Sequence, residues 1–180
     1  MVEISVVIIT YKRPLEVLER AIKSVLNQSF KNIELLVVND APEEKELSIE
    51  IAKMIGCLND SRVRYLTYDK NRGSNYARNF GLKNSVGRYI AYLDDDDEWL
   101  PIKLEKQFET IVKNPDIALV ACGFNILNER GKCGEKKVIG VLNDPKQTFD
   151  IININIPMPK NITGHITATS PLSTQIKNLI

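Results

Sequence analysis

Runs of apolar residues recur at regular intervals along the first 127 residues, and they constrain the fold more than any other feature of the sequence. The first run is continuous rather than alternating, as is typical of a strand buried on both faces of a sheet, and all of the runs are read as strands. They occupy residues 4–9, 33–38, 63–68, 88–93 and 117–127. Segments with helical spacing separate them, after Pro14 and at residues 41–58, 74–85 and 100–114. This alternation predicts an α/β protein with a mostly parallel sheet and helices on both faces.

The pattern weakens beyond residue 127. Residues 128–132 are typical of a turn, and residues 136–142 would form one more strand. From residue 143 onward, apolar and polar residues mix without a period, so no element can be assigned there. We therefore expect a core at residues 1–127, followed by a second region at residues 128–180 that is incomplete because the chain is truncated.

Composition narrows the class of protein without naming a function. The chain has 180 residues, of which 43% are hydrophobic and 26% charged, a composition typical of one soluble globular domain. Its formal net charge of +1 gives no support for nucleic-acid binding by phosphate attraction. The three cysteines show no C-x-x-C spacing, which suits a reducing cytoplasm. The apolar stretch near the N-terminus is too short to span a membrane, and peripheral attachment stays open.

Polar residues follow each of the first four predicted strands. Tyr11 follows the first, Asp40 the second, residues 71–73 the third and Asp94 the fourth. The carboxyl ends of parallel strands meet at one edge of a sheet, where such proteins bind ligands. We therefore expect one ligand site at this edge. Neither G-x-G-x-x-G nor G-x-x-x-x-G-K-[ST] occurs, so a glycine-rich loop would not hold phosphates here.

The densest acidic run, residues 94–98, follows the fourth predicted strand. A solvated loop that caps the next helix is one interpretation, and a cation site is the other. On an extended segment Asp94 and Asp96 would point to one side, which favours Mg²⁺ or Mn²⁺. Asp95 would point the other way, toward a ribose, solvent or a helix N-terminus.

The order of these segments resembles the nucleotide-sugar-binding half of the family 2 glycosyltransferases, which have the Rossmann-like GT-A fold. The segments that carry the resemblance are SVVIITYKR, VLNQSF, IELLVVNDAP, NRGSNYARNFGL and GRYIAYLDDDDEWLPIKLE, in this order. The resemblance implies an inverting, metal-assisted transfer of a sugar from a nucleotide-diphosphate sugar. It implies a saccharide or lipid acceptor, and a uridine-linked donor is expected, with thymidine or guanosine donors left open.

The resemblance also assigns roles to residues at the nucleobase. Thr10 and Tyr11 would contact the base, and Asp40 would hydrogen-bond it. The family's V-D-D motif reads V-N-D here, so Asn39 is a departure from the pattern.

Further residues would contact the diphosphate and the sugar. Gly73 and Arg78 match the motif N-x-G-x-x-x-A-R-N-x-G, and Arg72 or Arg78 would lie near the donor phosphates or sugar. Asp94 and Asp96 match the D-x-D motif that binds the metal diphosphate, and Asp95 is expected among the residues that bind the nucleotide sugar.

A catalytic base is missing from this assignment. In the resembling family the base is an acid in the later part of the chain, but residues 151–180 contain no Asp or Glu. His165 is a weak candidate, so the catalytic residues stay unassigned. The alternative function is a non-catalytic nucleotide-sugar-binding fragment or remnant. A nucleotidyltransferase is a third class, and the segment TYKRP lacks the glycine-rich loop it would need.

The sequence also predicts where the protein is located in the cell and whether it self-associates. We expect a cytoplasmic protein, with attachment to the inner face of the membrane left open. A truncated flank of the sheet would expose apolar surface, which predicts self-association.

Overall fold

A computed structural model describes residues 1–116, 119–120, 122, 124–127, 133–137 and 166–168 of the chain. Strands and helices alternate through the first part of it, as the sequence predicts. The strands there are β1 (Ile4–Thr10), β2 (Ile33–Asn39), β3 (Val63–Thr67) and β4 (Tyr89–Asp94). The helices are α1 (Leu15–Leu26), α2 (Lys45–Leu58), α3 (Ser74–Asn84) and α4 (Lys103–Lys113). Four short strands follow: β5 (Leu119–Val120), β6 (Phe124–Leu127), β7 (Cys133–Lys137) and β8 (Ile166–Ala168).

The main sheet has the strand order β3-β2-β1-β4-β8-β5. The first four of these strands are parallel, whereas β8 is antiparallel to both of its neighbours, β4 and β5. A separate antiparallel pair joins β6 to β7. The expected mostly parallel sheet is therefore confirmed.

Alternate residues of the central strands point to opposite faces of the sheet, and helices cover both faces. Val6 and Ile8 face one apolar cluster, which contains the inner sides of α1, α2 and α4. Val7 faces the other cluster, which contains the inner side of α3. Full burial of one such aliphatic side chain stabilises the fold by about 1.5–3 kcal/mol, so the continuous apolar runs are a direct consequence of a covered sheet.

Gly81 explains an apparent flaw in α3. Glycine inside a helix is unfavourable, yet a Cβ at Gly81 would come 2.5 Å from Cγ1 of Val7. Because only glycine leaves room for this approach, α3 can lie directly on β1.

Four segments differ from the sequence-based expectation. The expected strand at residues 117–127 contains two short strands, β5 and β6, while β7 begins before the expected strand at residues 136–142. The acidic run is a turn rather than an extended segment. No pattern predicted β8, which joins the sheet of the expected core although it lies beyond residue 127. Among the helices that the structure describes, none is long and apolar enough to cross a membrane.

Candidate active site

The carboxyl ends of β1, β2 and β4 lie side by side at one edge of the sheet. Thr10 pairs with Asn39 in the β1–β2 ladder, and Ile9 pairs with Asp94 in the β1–β4 ladder. The backbone N–H of Asp40 donates a hydrogen bond to the carbonyl oxygen of Thr10 at 2.9 Å. The polar segments that follow these three strands are thus brought together, as the strand order requires.

Asp40 is held in place by groups that follow β3. It is only 3% exposed, and its Oδ1 accepts hydrogen bonds from the Tyr68 hydroxyl at 2.5 Å and the Arg72 backbone N–H at 2.9 Å. Asn71 Nδ2 donates to the Asp40 carbonyl oxygen at 2.7 Å. Burial, followed by this hydrogen bond to Asp40, raises the pKa of Tyr68 well above its usual value of 10.0. The phenol therefore stays protonated and donates to the carboxylate.

Thr10 and Tyr11 lie at the end of β1 in different environments. Thr10 is 1% exposed, and within the described residues its hydroxyl has no hydrogen-bond partner. Tyr11, in contrast, is 49% exposed, and Lys12 Nζ lies 5.4 Å from the centroid of its ring. A ligand at this edge could stack on Tyr11, whereas the side chain of Thr10 lies beneath the surface.

Asn39 has a structural place at the end of β2. Its Nδ2 donates to Ser48 Oγ and to the Tyr65 hydroxyl, each at 2.9 Å, and its Oδ1 accepts from the Ala41 backbone N–H. The departure from V-D-D is thus an amide that joins β2 to α2 and β3, with the two hydroxyls as its acceptors.

The acidic residues after β4 form a turn, closed by a hydrogen bond from the Asp97 N–H to the Asp94 carbonyl oxygen at 3.2 Å. The period-two argument for Asp94 and Asp96 therefore does not apply. Asp95 is 6% exposed, and Arg13 donates to its Oδ1 at 2.9 Å. The same guanidinium lies 3.2 Å from Asp96 Oδ2, and Asp96 remains the more exposed of the two carboxylates.

Asp94 lies between a cation and two further carboxylates. Arg78 forms an ion pair with Asp94 at 3.4 Å. Burial raises the pKa of Asp94, Arg78 opposes this shift, and the charges of Asp96 and Asp95 add to it. The ionised form of Asp94 is thus disfavoured mainly by burial, and a cation bound beside it would favour that form.

The two arginines of the third segment are placed differently. Arg72 pairs with Asp69 at 3.0 Å and lies 4.8 Å from the centroid of the Tyr76 ring, near Asp40. Arg78 is the one that reaches the acidic turn. Gly73 separates them with a φ of 83°, a conformation that glycine adopts at little cost, and it caps α3.

Glycosyl transferase family 2 is the family whose model matches residues 5–165 of the chain. The chain belongs to this family. An uncharacterized glycosyltransferase of Rickettsia conorii is 37% identical over 166 residues, which cover 92% of this chain and 26% of that protein. The Escherichia coli UDP-Glc:alpha-D-GlcNAc-diphosphoundecaprenol beta-1,3-glucosyltransferase WfgD is 36% identical over 115 residues, 64% of this chain and 43% of that protein.

A solved structure shows the same fold as this family 2 chain. The mannosyltransferase PcManGT from Pyrobaculum calidifontis, in complex with GDP-Man and Mn²⁺, superposes with a TM-score of 0.58 at 18% identity. The match covers 71% of this chain and 36% of that structure. The GT-A fold expected from the sequence is confirmed, and the chain spans less than half the length of these relatives.

Sequence reasoning did not predict two residues of the candidate site. Arg13 and Tyr68 both contact predicted site residues, but each does so across a long separation in sequence. The only signal was their position, because each lies just after a strand whose end faces the site. His165, the weak candidate for a base, lies outside the described residues.

Proposed function

We propose that this chain is the donor-binding part of an inverting glycosyltransferase that takes a sugar from a nucleotide-diphosphate sugar. The acceptor would be a saccharide or a lipid-linked saccharide. One observation carries the proposal: the buried Asp40 and the acidic turn lie at the same edge of the sheet, joined by the end of β1. A nucleotide sugar needs both a contact for its base and a charged site for its diphosphate.

The nucleobase would meet Asp40 and Tyr11. Asp40 supplies an acceptor of fixed orientation, and Tyr11 supplies an exposed ring on which a base can stack. Arg72 flanks Asp40 through its backbone N–H. We propose a uridine-linked donor, in line with the UDP-Glc named for the Escherichia coli relative, while the GDP-Man of the solved mannosyltransferase keeps guanosine open.

A divalent cation fits the acidic turn. Within the residues that the structure describes, no group of three or more His, Cys, Asp or Glu side chains is arranged to hold a metal. Mg²⁺ and Mn²⁺ at phosphate sites commonly take one or two carboxylates together with phosphate oxygens, and Asp94 and Asp96 could be those carboxylates. The exposed fractions of the two side chains, 46% for Asp94 and 53% for Asp96, support this, because both carboxylates can be reached from solvent.

The residues around the turn would hold the diphosphate in line for transfer. A bound cation would act as a Lewis acid that stabilises the departing nucleoside diphosphate. Arg13 fixes Asp95 and contacts Asp96, so it sets the shape of the turn, and Arg78 adds positive charge beside Asp94. An attacking acceptor hydroxyl must also lose its proton to a base, and this base stays unassigned.

The proposal also covers the roles of the two parts of the chain and the location of the protein in the cell. We place residues 1–127 at the nucleotide sugar and residues 128–180 toward the acceptor. The undecaprenol-linked acceptor named for the Escherichia coli relative supports a cytoplasmic protein working at the inner face of a membrane.

Calorimetric binding of UDP, with and without Mn²⁺, tests this proposal directly. We expect binding that needs Mn²⁺ and that weakens roughly tenfold or more in Asp96→Ala, since a charge-assisted contact is worth about 1.5–3 kcal/mol. Asp116→Ala is the matched control, because Asp116 is an exposed acid beyond α4 and its loss changes the net charge equally.

The proposal fails if neither UDP nor GDP binds, or if binding is independent of both Mn²⁺ and Asp96. Metal-dependent binding without sugar transfer to any saccharide or lipid-linked acceptor would instead favour a nucleotide-sugar-binding module.

A further inference from the structure

We propose that Tyr68 is a positioning residue that makes Asp40 select bases with a ring N–H donor at the centre of their pairing edge. The inference rests on the proposed function, in which Asp40 meets the nucleobase. It goes further by assigning a role to a residue outside the recognised motifs and by predicting which bases are rejected.

The two oxygens of the Asp40 carboxylate are hydrogen-bonded unequally. Both protein donors, the Tyr68 hydroxyl and the Arg72 N–H, bind the same oxygen, Oδ1. Within the described part of the chain, Oδ2 accepts no hydrogen bond. A carboxylate whose one oxygen is held by two donors has a fixed plane, so the remaining oxygen presents its lone pairs in one direction.

The phenol ring of Tyr68 is held in place by neighbouring aromatic rings. The Tyr68 ring makes edge contacts with Tyr76 and Phe80, with ring centroids 5.1 Å apart in both pairs. Phe80 belongs to the buried side of α3, so the ring cannot swing away without disturbing that packing. The hydroxyl therefore reaches Asp40 from a fixed origin rather than from a flexible side chain.

The nucleobases differ in the hydrogen-bonding groups that they can present to this carboxylate. An ionised carboxylate only accepts hydrogen bonds. Uracil and thymine present an N3–H at their pairing edge, and guanine presents N1–H. At that central ring position cytosine presents a bare N3 lone pair, which a fixed carboxylate oxygen would repel. Its exocyclic N4 amino group is a donor but lies to one side of the position that N3–H occupies in uracil. Asp40 oriented by Tyr68 should therefore favour uridine, thymidine or guanosine diphosphates and reject the cytidine form.

A matched control lies on β3, three residues before Tyr68. Tyr65 also offers its hydroxyl to the end of β2, but it accepts from Asn39 Nδ2 at 2.9 Å, one residue before Asp40. Tyr65→Phe and Tyr68→Phe remove the same atom from neighbouring positions and leave both rings in place. Only Tyr68→Phe removes a hydrogen-bond donor from the Asp40 carboxylate.

The experiment measures dissociation constants of UDP and CDP for the full chain with Mn²⁺, in the wild type and both variants. The wild type should prefer UDP over CDP by roughly 10-fold or more, as expected for a hydrogen bond to a charged group. Tyr68→Phe should weaken UDP binding roughly 10-fold and shrink the preference over CDP. Tyr65→Phe should leave both constants within about 2-fold, because it does not touch the carboxylate.

A second measurement needs no variant and so does not depend on folding. N3-methyl-UDP should bind the wild type at least roughly 10-fold more weakly than UDP, because the methyl group replaces the donor. This result tests the selection of bases at Asp40 even if Tyr68→Phe does not fold, whereas the part played by the phenol is tested by the two tyrosine variants.

The outcomes separate the inference from the proposed function. If UDP binds the wild type but CDP or N3-methyl-UDP binds equally well, the inference is wrong while donor binding stands. Equal losses in Tyr65→Phe and Tyr68→Phe would also overturn it, since they indicate a general effect on β3. If no nucleoside diphosphate binds the wild type, both fall together.

Discussion

Lys103, at the start of α4, has the most unusual environment of any single residue that the structure describes outside the site. Its Nζ lies 3.5 Å from the centroid of the Trp99 ring. In the described part of the chain this nitrogen is buried without a hydrogen-bond partner. Burial lowers the pKa of Lys103 to about 7, with the charge of Cys122 acting in the opposite direction. A buried amine of this kind destabilises the fold whenever it must carry a proton.

Lys103→Met should raise stability at neutral pH and flatten its pH dependence. Between about pH 7 and the unfolded value of 10.5 the unfolded chain holds a proton that the folded Lys103 has released. Wild-type stability should therefore rise with pH across this window, and the variant should lack that rise. Each kcal/mol gained at neutral pH should add about 2–4 °C to Tm.

Urea unfolding at several pH values, followed by the fluorescence of Trp99, measures this effect because the chain has a single tryptophan. Lys106→Met is the control on the same helix, since Lys106 is exposed and pairs with Glu109 at 3.8 Å. An equal pH slope in Lys103→Met and wild type would contradict the prediction.

Strands and helices are the scale at which sequence reasoning worked best. The bounds of β1 to β4 lie within one residue of the expected runs. For β1, β2 and β4 the reason is that strands covered on both faces are largely apolar. The acidic turn was misjudged as extended, since alternation assumes a strand that in fact ends at Asp94. Tyr68 and Arg13 could not be found, because their partners Asp40 and Asp95 are close only after folding.

The beginnings of the first three strands are joined by a buried acid on the edge opposite the site. Glu34 of β2 accepts hydrogen bonds from the Ser5 hydroxyl at 2.5 Å, the Val86 N–H at 2.7 Å and Arg64 at 2.9 Å. Burial by itself would raise the pKa of Glu34, but these donors outweigh it and hold the pKa below the usual 4.5. The ionised form is thus favoured by folding.

Glu34→Gln should lower stability at pH 7 by about 1–3 kcal/mol and reduce the loss of stability in acid. The folded pKa is depressed, so this contribution is present above the unfolded value near 4.5 and is lost as the pH falls through the folded pKa. Chemical unfolding between pH 3 and pH 7 measures both effects. Glu50→Gln, an exposed position on α2, should change neither, and an unchanged acid slope in Glu34→Gln would refute the assignment.

For the whole molecule, the decisive feature is the strand that sequence reasoning missed. β8 lies between β4 and β5, with Thr167 paired to Ile90 on one side and to Leu119 on the other. Three residues are too few to carry a recognisable pattern, so only the partner strands define this element. Through it, a segment far along the chain becomes part of the sheet that carries the site.

Thr167→Pro should loosen the β4 side of the sheet while leaving its centre intact. Proline removes a backbone donor from a strand with neighbours on both sides. Amide hydrogen exchange should rise roughly 10-fold or more in residues 89–94 and stay unchanged in residues 33–39. Thr167→Val keeps the donor and should match the wild type; equal protection of β4 in all three proteins would show that β8 does not support it.

The position of β8 also affects how the chain emerges during synthesis. Strands β1 to β4 can pair once residue 94 has left the ribosome, but β4 then has an unpaired edge until residue 166 follows. At ~5–20 residues per second the wait is roughly 4–14 s. Exposed strand edges recruit other strands, so nascent chains on one messenger share a complementary edge during this interval. Slower translation of residues 95–165 should therefore lower the soluble yield of the protein without any change in its sequence.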